Sequence, residues 1–501
     1  MRPAPERARF ASAARRTGTA YNTAHSNPYA RQIIGGVVHK AQIVALTAAT
    51  LVVVGAYYGL ADALDLVPGV LTASPADYAV QPFPTASAAA REPDAAPGLA
   101  ADAPVPDAGE LAALANALAG DERVGKATTG VSIVDVASGR ELVDHGAGAP
   151  LTPASSNKVP VAWAALSLMG ADHTLRTTAV LDGSTVTLVG GGDVLLAEDA
   201  GDPDAAVGRA GLGDLARQAA AQLKEQGVTS VSVALDDTLF TGPTWNDAWA
   251  SGNESWVAPI QPLMLDVTAY PSGGYPADPA LDAAGVFADH LRGAGIEVTG
   301  AVSRSAAGAE ATELAAVESA PLADILSVSL KASDNTMTEV EGRLVALAAG
   351  EEASFAGATR AVLGQLQADG FDTSGVTMLD SCGLALGNQV PARLLAQIIA
   401  RAAADDAGTA GRSLIAALPV GGLDGTLDDR YVGTAGAGAV RAKTGSLDTV
   451  ASLTGTVVTA DGRLLAFSVI VDGFEEGGLY SARLAIDDAL LTPLAACGCG
   501  G

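Results

Sequence analysis

The spacing of apolar positions changes several times along the chain, and each change predicts a different element. Ile43 to Leu60 is an eighteen-residue run without a charge. Counted from Ala41, about twenty residues rise roughly 30 Å as a helix, the thickness of a bilayer core. Residues 73–107 hold no periodic pattern and are dense in Ala, Pro and Asp, the composition of an extended linker. Helical spacing then covers Ala108 to Leu118. Period-two spacing marks Val131 to Val136, which Ala137-Ser138-Gly139-Arg140 turns into a returning strand from Glu141 to Asp144. Val161 to Met169 is apolar on every face and predicts a buried helix.

Beyond His173 the pattern alternates. Strands are expected over Thr177–Leu181, Thr185–Val189, Ser230–Leu235 and Glu297–Val302, with helices over Val207–Gln226 and Ala280–Ala294. Further helices follow over Leu322–Lys331, Met337–Ala348 and Ala392–Ala403. Ala451–Val458 and Leu464–Val471 form a hairpin around Ala460-Asp461-Gly462, and Leu479–Leu491 closes the chain as an amphipathic helix. Strands and helices at both ends around one sheet imply an α+β core, residues 107–172 and 316–495, interrupted by an inserted α/β domain over residues 173–315. Residues 1–40, 41–61, 62–106 and 496–501 are read as a basic tail, a transmembrane anchor, an Ala/Pro linker and a C-terminal tail.

Charge sharpens the N-terminal reading. The net charge is −27, yet residues 1–40 hold seven basic residues against the single acid Glu6. A basic flank places the N-terminus inside, Tyr57 and Tyr58 suit the far interface, and the rest of the chain then lies outside the cytoplasm. The expected location is the cell membrane, as a single-pass protein. A cleaved signal peptide, with its site at Ala61-Asp62-Ala63, is the rival reading. A body this acidic excludes nucleic acid as a partner, because phosphate contacts need Lys and Arg. Cys382, Cys497 and Cys499 are too few for a disulfide framework, and five scattered histidines show no HExxH spacing, so neither a metal nor another cofactor is expected.

Candidate chemistry centres on Pro153-Ala154-Ser155-Ser156-Asn157-Lys158-Val159-Pro160. Residues i and i+3 share a helix face, so the Ser155 hydroxyl and the Lys158 amine can meet, and a neutral amine can deprotonate the serine. Lysine is scarce, with six in the chain, and only Lys158 has serine three positions before it. Two more short elements follow in order, Ser333-Asp334-Asn335 and Lys443-Thr444-Gly445. Together they form the set used by penicillin-binding proteins and class A β-lactamases. An acyl transfer needs a nucleophile (Ser155), a base (Lys158), a proton relay (Ser333) and oxyanion donors, here the backbone amides of Ser155 and Ser446. Asn335 is expected to hold Lys158 or the substrate amide. Lys443 and Thr444 would bind a substrate carboxylate, and Gly445 would let a substrate backbone lie along a strand edge. Lys443 is further expected, as a second cation, to lower the Lys158 pKa. Gly190-Gly191-Gly192-Asp193 lacks a phosphate-loop frame and reads as a tight turn.

With these motifs the chain resembles the low-molecular-mass class C penicillin-binding proteins, the D-alanyl-D-alanine carboxypeptidase/endopeptidase family S13. Asp236-Asp237-Thr238-Leu239-Phe240 followed by Trp245, and Asp380-Ser381-Cys382-Gly383-Leu384, resemble further family segments, with Cys382 where serine is usual. Ser155 and Ser333 stand 178 residues apart, room for the family's inserted domain, whereas a class A β-lactamase has far less between these motifs. The resemblance implies a β-lactamase/penicillin-binding transpeptidase-like core. It also implies peptidoglycan stem peptides as substrates and β-lactams as covalent inhibitors. A β-lactamase and a non-catalytic wall-binding or β-lactam-sensing protein are the competing functions.

Overall fold

The structure, a computed structural model, describes residues 46–61, 102–270 and 273–497. The basic tail, most of the linker and Cys499 lie outside the described residues. The chain divides into two units, Met1–Asp94 and Ala95–Gly501. In the first, residues 46–61 form a helix, α1, with Leu51, Val52 and Val53 exposed. Among the described residues no helix is long and apolar enough to cross a membrane.

The second unit begins with α2 (Ala108–Ala119), whose Asp107 caps the first turn by accepting from the Gly109 and Glu110 amides. Strands β1 (Thr128–Asp135) and β2 (Glu141–His145) follow, then a short β3 (Pro150–Leu151) and α3 (Lys158–Met169). The chain next builds β4 (Arg176–Asp182), β5 (Thr185–Val189), β6 (Asp193–Leu196), α4 (Leu212–Glu225), β7 (Ser230–Asp236), β8 (Leu263–Leu265), α5 (Pro279–Gly293), β9 (Glu297–Arg304) and β10 (Thr312–Glu318). It returns through α6 (Leu322–Ala332), α7 (Asn335–Ala348), α8 (Phe355–Ala368), β11 (Val390–Pro391), α9 (Ala392–Ala403) and α10 (Gly408–Ala417). It closes with β12 (Val440–Leu447), β13 (Val450–Val458), β14 (Leu464–Asp472), α11 (Leu479–Ala485), a π-helical turn over Ile486–Leu491 and α12 (Thr492–Ala496).

Two five-stranded sheets organise these elements. The first runs β12-β13-β14-β1-β2, antiparallel throughout, with the two ends of the unit meeting where Ser132 pairs Ser468. One face packs α9 and α3 through Leu395, Ile399, Ala162 and Ile470, and the other packs α2 and the C-terminal helices through Leu111, Phe467 and Leu491. The second sheet runs β10-β4-β5-β7-β9, with β5, β7 and β9 parallel, and α4 and α5 cover it through Leu215, Leu223 and Phe287. The segment between α3 and α6 is therefore an α/β unit with its own core, and β10 carries it through Glu318. The glycine run after β5 is a close-approach turn, since a Cβ on Gly191 would sit 1.8 Å from the Arg176 carbonyl oxygen.

Candidate active site

The nucleophile stands on a single 3₁₀ turn, Ala154–Asn157, that feeds directly into α3. Ala154 holds φ at 47°, a left-handed conformation that costs a non-glycine residue roughly 1–3 kcal/mol and is kept by its surroundings. Those surroundings are hydroxyl groups of the first sheet. Ser452 Oγ donates to the Pro153 carbonyl at 2.7 Å and lies 2.8 Å from Ser156 Oγ. Thr454 Oγ1 reaches Ser156 Oγ at 3.3 Å and Ser468 Oγ at 2.8 Å. Pro160 does no harm here. Because α3 starts at Lys158, the proline falls in the first turn, where an amide would have no helical partner.

Lys158 is fully buried, and its three donors are all used. Nζ donates to Ser155 Oγ at 3.0 Å, to Asn335 Oδ1 at 2.7 Å and to the Cys382 carbonyl at 2.7 Å. Asn335 is held in turn by donating Nδ2 to the Trp256 carbonyl at 2.9 Å. Burial lowers the Lys158 pKa, against the pull of Asp380, Asp334 and Glu339, which favour the charged amine. Lys443 is also fully buried and donates to Ser333 Oγ at 2.8 Å and to the Thr444 carbonyl at 2.8 Å. Its pKa is pushed well below the ordinary value, first by burial and then by Lys158. Burial depresses both amines, and repulsion between the two cations adds to it at Lys443. Ser333, at the left-handed end of α6 with φ 57°, faces Lys443 rather than Lys158.

The Lys443-Thr444-Gly445-Ser446 stretch lies on β12, the outer strand of the first sheet. Gly445 is required by packing. A Cβ there would lie 2.1 Å from Ser452 Oγ and 2.8 Å from the Pro153 carbonyl oxygen, so the missing side chain makes room for the nucleophile turn. Thr444 and Ser446 face the other way, into a cleft of about 990 Å³ that also exposes Ser155, Ser333, Asn335 and Trp256. Thr444 Oγ1 lies 2.8 Å from Thr426 Oγ1, and Ser446 Oγ accepts from Arg483 Nη2 at 2.5 Å.

Residues 111–276 and 268–492 match the model of the D-Ala-D-Ala carboxypeptidase 3 (S13) family. The chain belongs to this S13 family. Among S13-like proteins, a carboxypeptidase of Mycobacterium tuberculosis is 38% identical over 407 residues, covering 78% of this chain and 85% of that protein. The carboxypeptidase DacB of Mycolicibacterium smegmatis is 35% identical over 481 residues, covering 93% and 97%. The crystal structure of penicillin-binding protein 4 from Haemophilus influenzae shares the fold, with a TM-score of 0.63 at 20% identity over 76% of this chain and 99% of that one.

Within this S13 framework the role of one loop escaped sequence reasoning. Asp380 Oδ1 accepts from the Gly383 amide at 2.9 Å and from Asn388 Nδ2 at 2.6 Å. Its Oδ2 accepts from the Ala385 amide at 2.8 Å and from Trp249 Nε1 at 2.8 Å. Glu339 Oε1 accepts from the Ser381 and Cys382 amides at 2.9 and 2.8 Å. These bonds fix residues 380–385 so that the Cys382 carbonyl meets Lys158, while Asn157 Nδ2 ties the turn to the Asp380 carbonyl at 3.0 Å. Cys382 thus contributes main chain, and its thiol is an inert buried group whose pKa burial pushes up. Glu339, Asp380 and Cys382 cluster closely, but Glu339 Oε1 and both Asp380 oxygens already accept these donors, which is the chemistry of a loop hub. The sequence marked Asp380-Ser381-Cys382-Gly383-Leu384 as a segment but gave no sign of Glu339, Asn388 or Trp249 as its partners.

Proposed function

We propose that this protein is a serine D,D-peptidase that cleaves D-Ala-D-Ala ends, or D-Ala cross-links, of peptidoglycan stem peptides. The observation that carries the reading is the 3.0 Å contact of Ser155 Oγ with a buried, fully coordinated Lys158 amine. Asn335 and the Cys382 carbonyl aim that amine at the hydroxyl. In its neutral form Lys158 turns its lone pair to Ser155 and takes the hydroxyl proton as Oγ attacks the carbonyl carbon, and the backbone amides of Ser155 and Ser446 receive the oxyanion. The Ser333–Lys443 pair delivers a proton to the leaving nitrogen, the amide bond breaks, and D-alanine departs from an acyl-enzyme. Water then attacks the ester, giving its proton to the Ser333–Lys443 pair, and the C–O bond breaks as Lys158 returns its proton to Ser155 Oγ. Family membership supports the substrate class. A β-lactam presents a strained amide to the same serine and is expected to trap it, consistent with a structure of the Haemophilus protein solved with a β-lactam.

The catalytic unit is proposed to work outside the cytoplasm, tethered through residues 41–61. Exposed Leu51, Val52, Val53 and Tyr57 on α1 and the basic residues before it support an anchor. Fractionation of cells expressing the full chain, followed by N-terminal sequencing, tests anchor against cleaved signal. D-alanine release from a pentapeptide and from a cross-linked dimer tests the activity and separates the carboxypeptidase from the endopeptidase.

A further inference from the structure

The inserted unit takes no part in the reaction above, yet one of its segments reaches the catalytic lysine's surroundings from two sides. Between β7 and β8 the chain leaves its own sheet and crosses onto the catalytic unit as a strap over residues 241–258. Trp249 and Val257 share a buried cluster there with Met337 of α7 and with Cys382. Polar bonds hold both ends of the strap. Arg343 on α7 donates Nη1 to the Thr241 carbonyl and Nη2 to the Pro243 carbonyl, each at 2.8 Å. Thr336 Oγ1 accepts from the Ala258 amide at 2.9 Å, and in between Asn246 Nδ2 donates to the Leu379 carbonyl at 2.8 Å.

Besides Ser155, Lys158 has two fixed acceptors, Asn335 Oδ1 and the Cys382 carbonyl, and the strap holds both. The Trp256 carbonyl takes Asn335 Nδ2 at 2.9 Å, which turns the Asn335 oxygen toward the amine. Trp249 Nε1 donates to Asp380 Oδ2 at 2.8 Å, while Asp380 Oδ1 accepts the Gly383 amide at 2.9 Å. The indole thus closes the loop whose Cys382 carbonyl meets Lys158. Trp249 is buried and stacks edge-on against Trp245 and Phe355, with ring centroids 4.9 and 5.3 Å away, so its N–H has one direction to point.

We propose that the inserted unit serves the reaction by preorganising the catalytic base: its strap, with Trp249 as a positioning residue, holds the two acceptors that aim Lys158 at Ser155. The inference rests on the peptidase reading and deepens it by giving the insert a place in the chemistry. Trp249 does not line the cleft, so its effect must pass through Asp380 and the loop. Loss of its N–H leaves Asp380 one donor short and loosens the Cys382 carbonyl, and a displacement of about 1 Å at a reacting group can cost roughly a hundredfold in rate. A looser strap also admits water to the amine and relieves the burial that lowers its pKa.

The test uses the full chain and compares Trp249→Phe with Trp163→Phe. Trp163 is a second buried indole, on α3, and its Nε1 donates to Asp369 Oδ2 at 2.8 Å, an acceptor outside the loop 380–385. Each variant keeps an aromatic ring and loses one N–H···O bond. Stopped-flow acylation by benzylpenicillin across pH separates the acylation rate constant from the dissociation constant, and thermal melting reports folding. Trp249→Phe should acylate about 10- to 100-fold more slowly at an unchanged dissociation constant, with its pH limb moved to higher pH. Trp163→Phe should melt earlier but keep the wild-type rate and limb. Asn246→Ala, which releases the Leu379 carbonyl beside Asp380, should move rate and limb in the same direction, and it carries the test where Trp249→Phe does not fold. NMR of protein labelled with carbon-13 lysine, with the Lys158 signal assigned by Lys158→Arg, should show the same upward move of the amine's titration midpoint without turnover. A folded Trp249→Phe or Asn246→Ala with the wild-type rate and limb overturns the strap's role, as does a loss that Trp163→Phe matches. A wild type that benzylpenicillin does not acylate, but whose Lys158 midpoint still rises in Trp249→Phe, contradicts the peptidase reading and keeps the strap's role.

Discussion

A methyl group on Gly445 would lie 2.1 Å from Ser452 Oγ, the hydroxyl that holds the Pro153 carbonyl beneath the nucleophile. Gly445→Ala must therefore push the 3₁₀ turn away from β12. Overpacking of this kind costs about 1–3 kcal/mol. The kinetic effect should be larger, because a shift of about 1 Å in a reacting group can remove roughly a hundredfold in rate. Comparing the unfolding midpoint with the acylation rate of the variant checks this: a modest loss of stability with a steep loss of acylation is expected.

The depressed Lys158 pKa fixes the sign of the pH dependence. The reactive form is the neutral amine, so acylation should rise with pH along a limb below the ordinary lysine value of 10.5. Lys158→Arg places a permanent cation at the position and should reduce acylation by about 10²- to 10⁴-fold at every pH. Stopped-flow acylation from pH 5 to 10 reads both outcomes.

Glu341 carries a second pH signature, in stability. It is buried in α7, and burial raises its pKa from 4.5 to about 8. The folded state keeps this proton when the unfolded chain has lost it. Its contribution is thus fully present below about pH 4.5 and is lost as pH rises through about 8, at ~1.4 kcal/mol per pH unit across that window. Glu339, raised to about 7 by burial and then by Asp380, adds the same sign. Glu341→Gln should flatten the decline in urea midpoint between pH 5 and 9, and parallel wild-type and variant curves would count against the assignment.

Cys382 and Asp380 are adjacent in role but should respond oppositely. Cys382→Ser keeps the carbonyl on Lys158 and should retain acylation. Asp380→Ala strands four buried donors, from Gly383, Ala385, Asn388 and Trp249, and should cost about 3 kcal/mol or more. Chemical denaturation and acylation measured on both variants would reveal the contrast.

These residues also mark how far the sequence could be read. Ser155, Lys158, Asn335 and Lys443 announced themselves because acyl transfer demands those groups, and the structure sets Ser155 and Asn335 on one cleft with the two lysines buried behind it. The hairpin of β13 and β14, the helix Ala392–Ala403 and the α/β insert followed from periodicity. What stayed hidden depends on distance in three dimensions. Arg483 is an ordinary helix residue until α11 packs it beside Ser446, and the close fit of Gly445 against the nucleophile turn exists only once the chain is folded. β10 and α8 were missed because their alternating small residues give weak hydrophobic contrast. The depth at which Lys158 and Lys443 are buried, which depresses both amines, is likewise something spacing does not supply.

The central claim is that Ser155, activated by Lys158, becomes acylated. Intact-mass analysis after incubation with a fluorescent penicillin tests it directly, using wild type, Ser155→Ala and Lys158→Arg. The account predicts one penicilloyl adduct on wild type, located at Ser155, none on Ser155→Ala and a strongly slowed adduct on Lys158→Arg. Labelling of Ser155→Ala to the wild-type extent, or an unlabelled wild type, would contradict it.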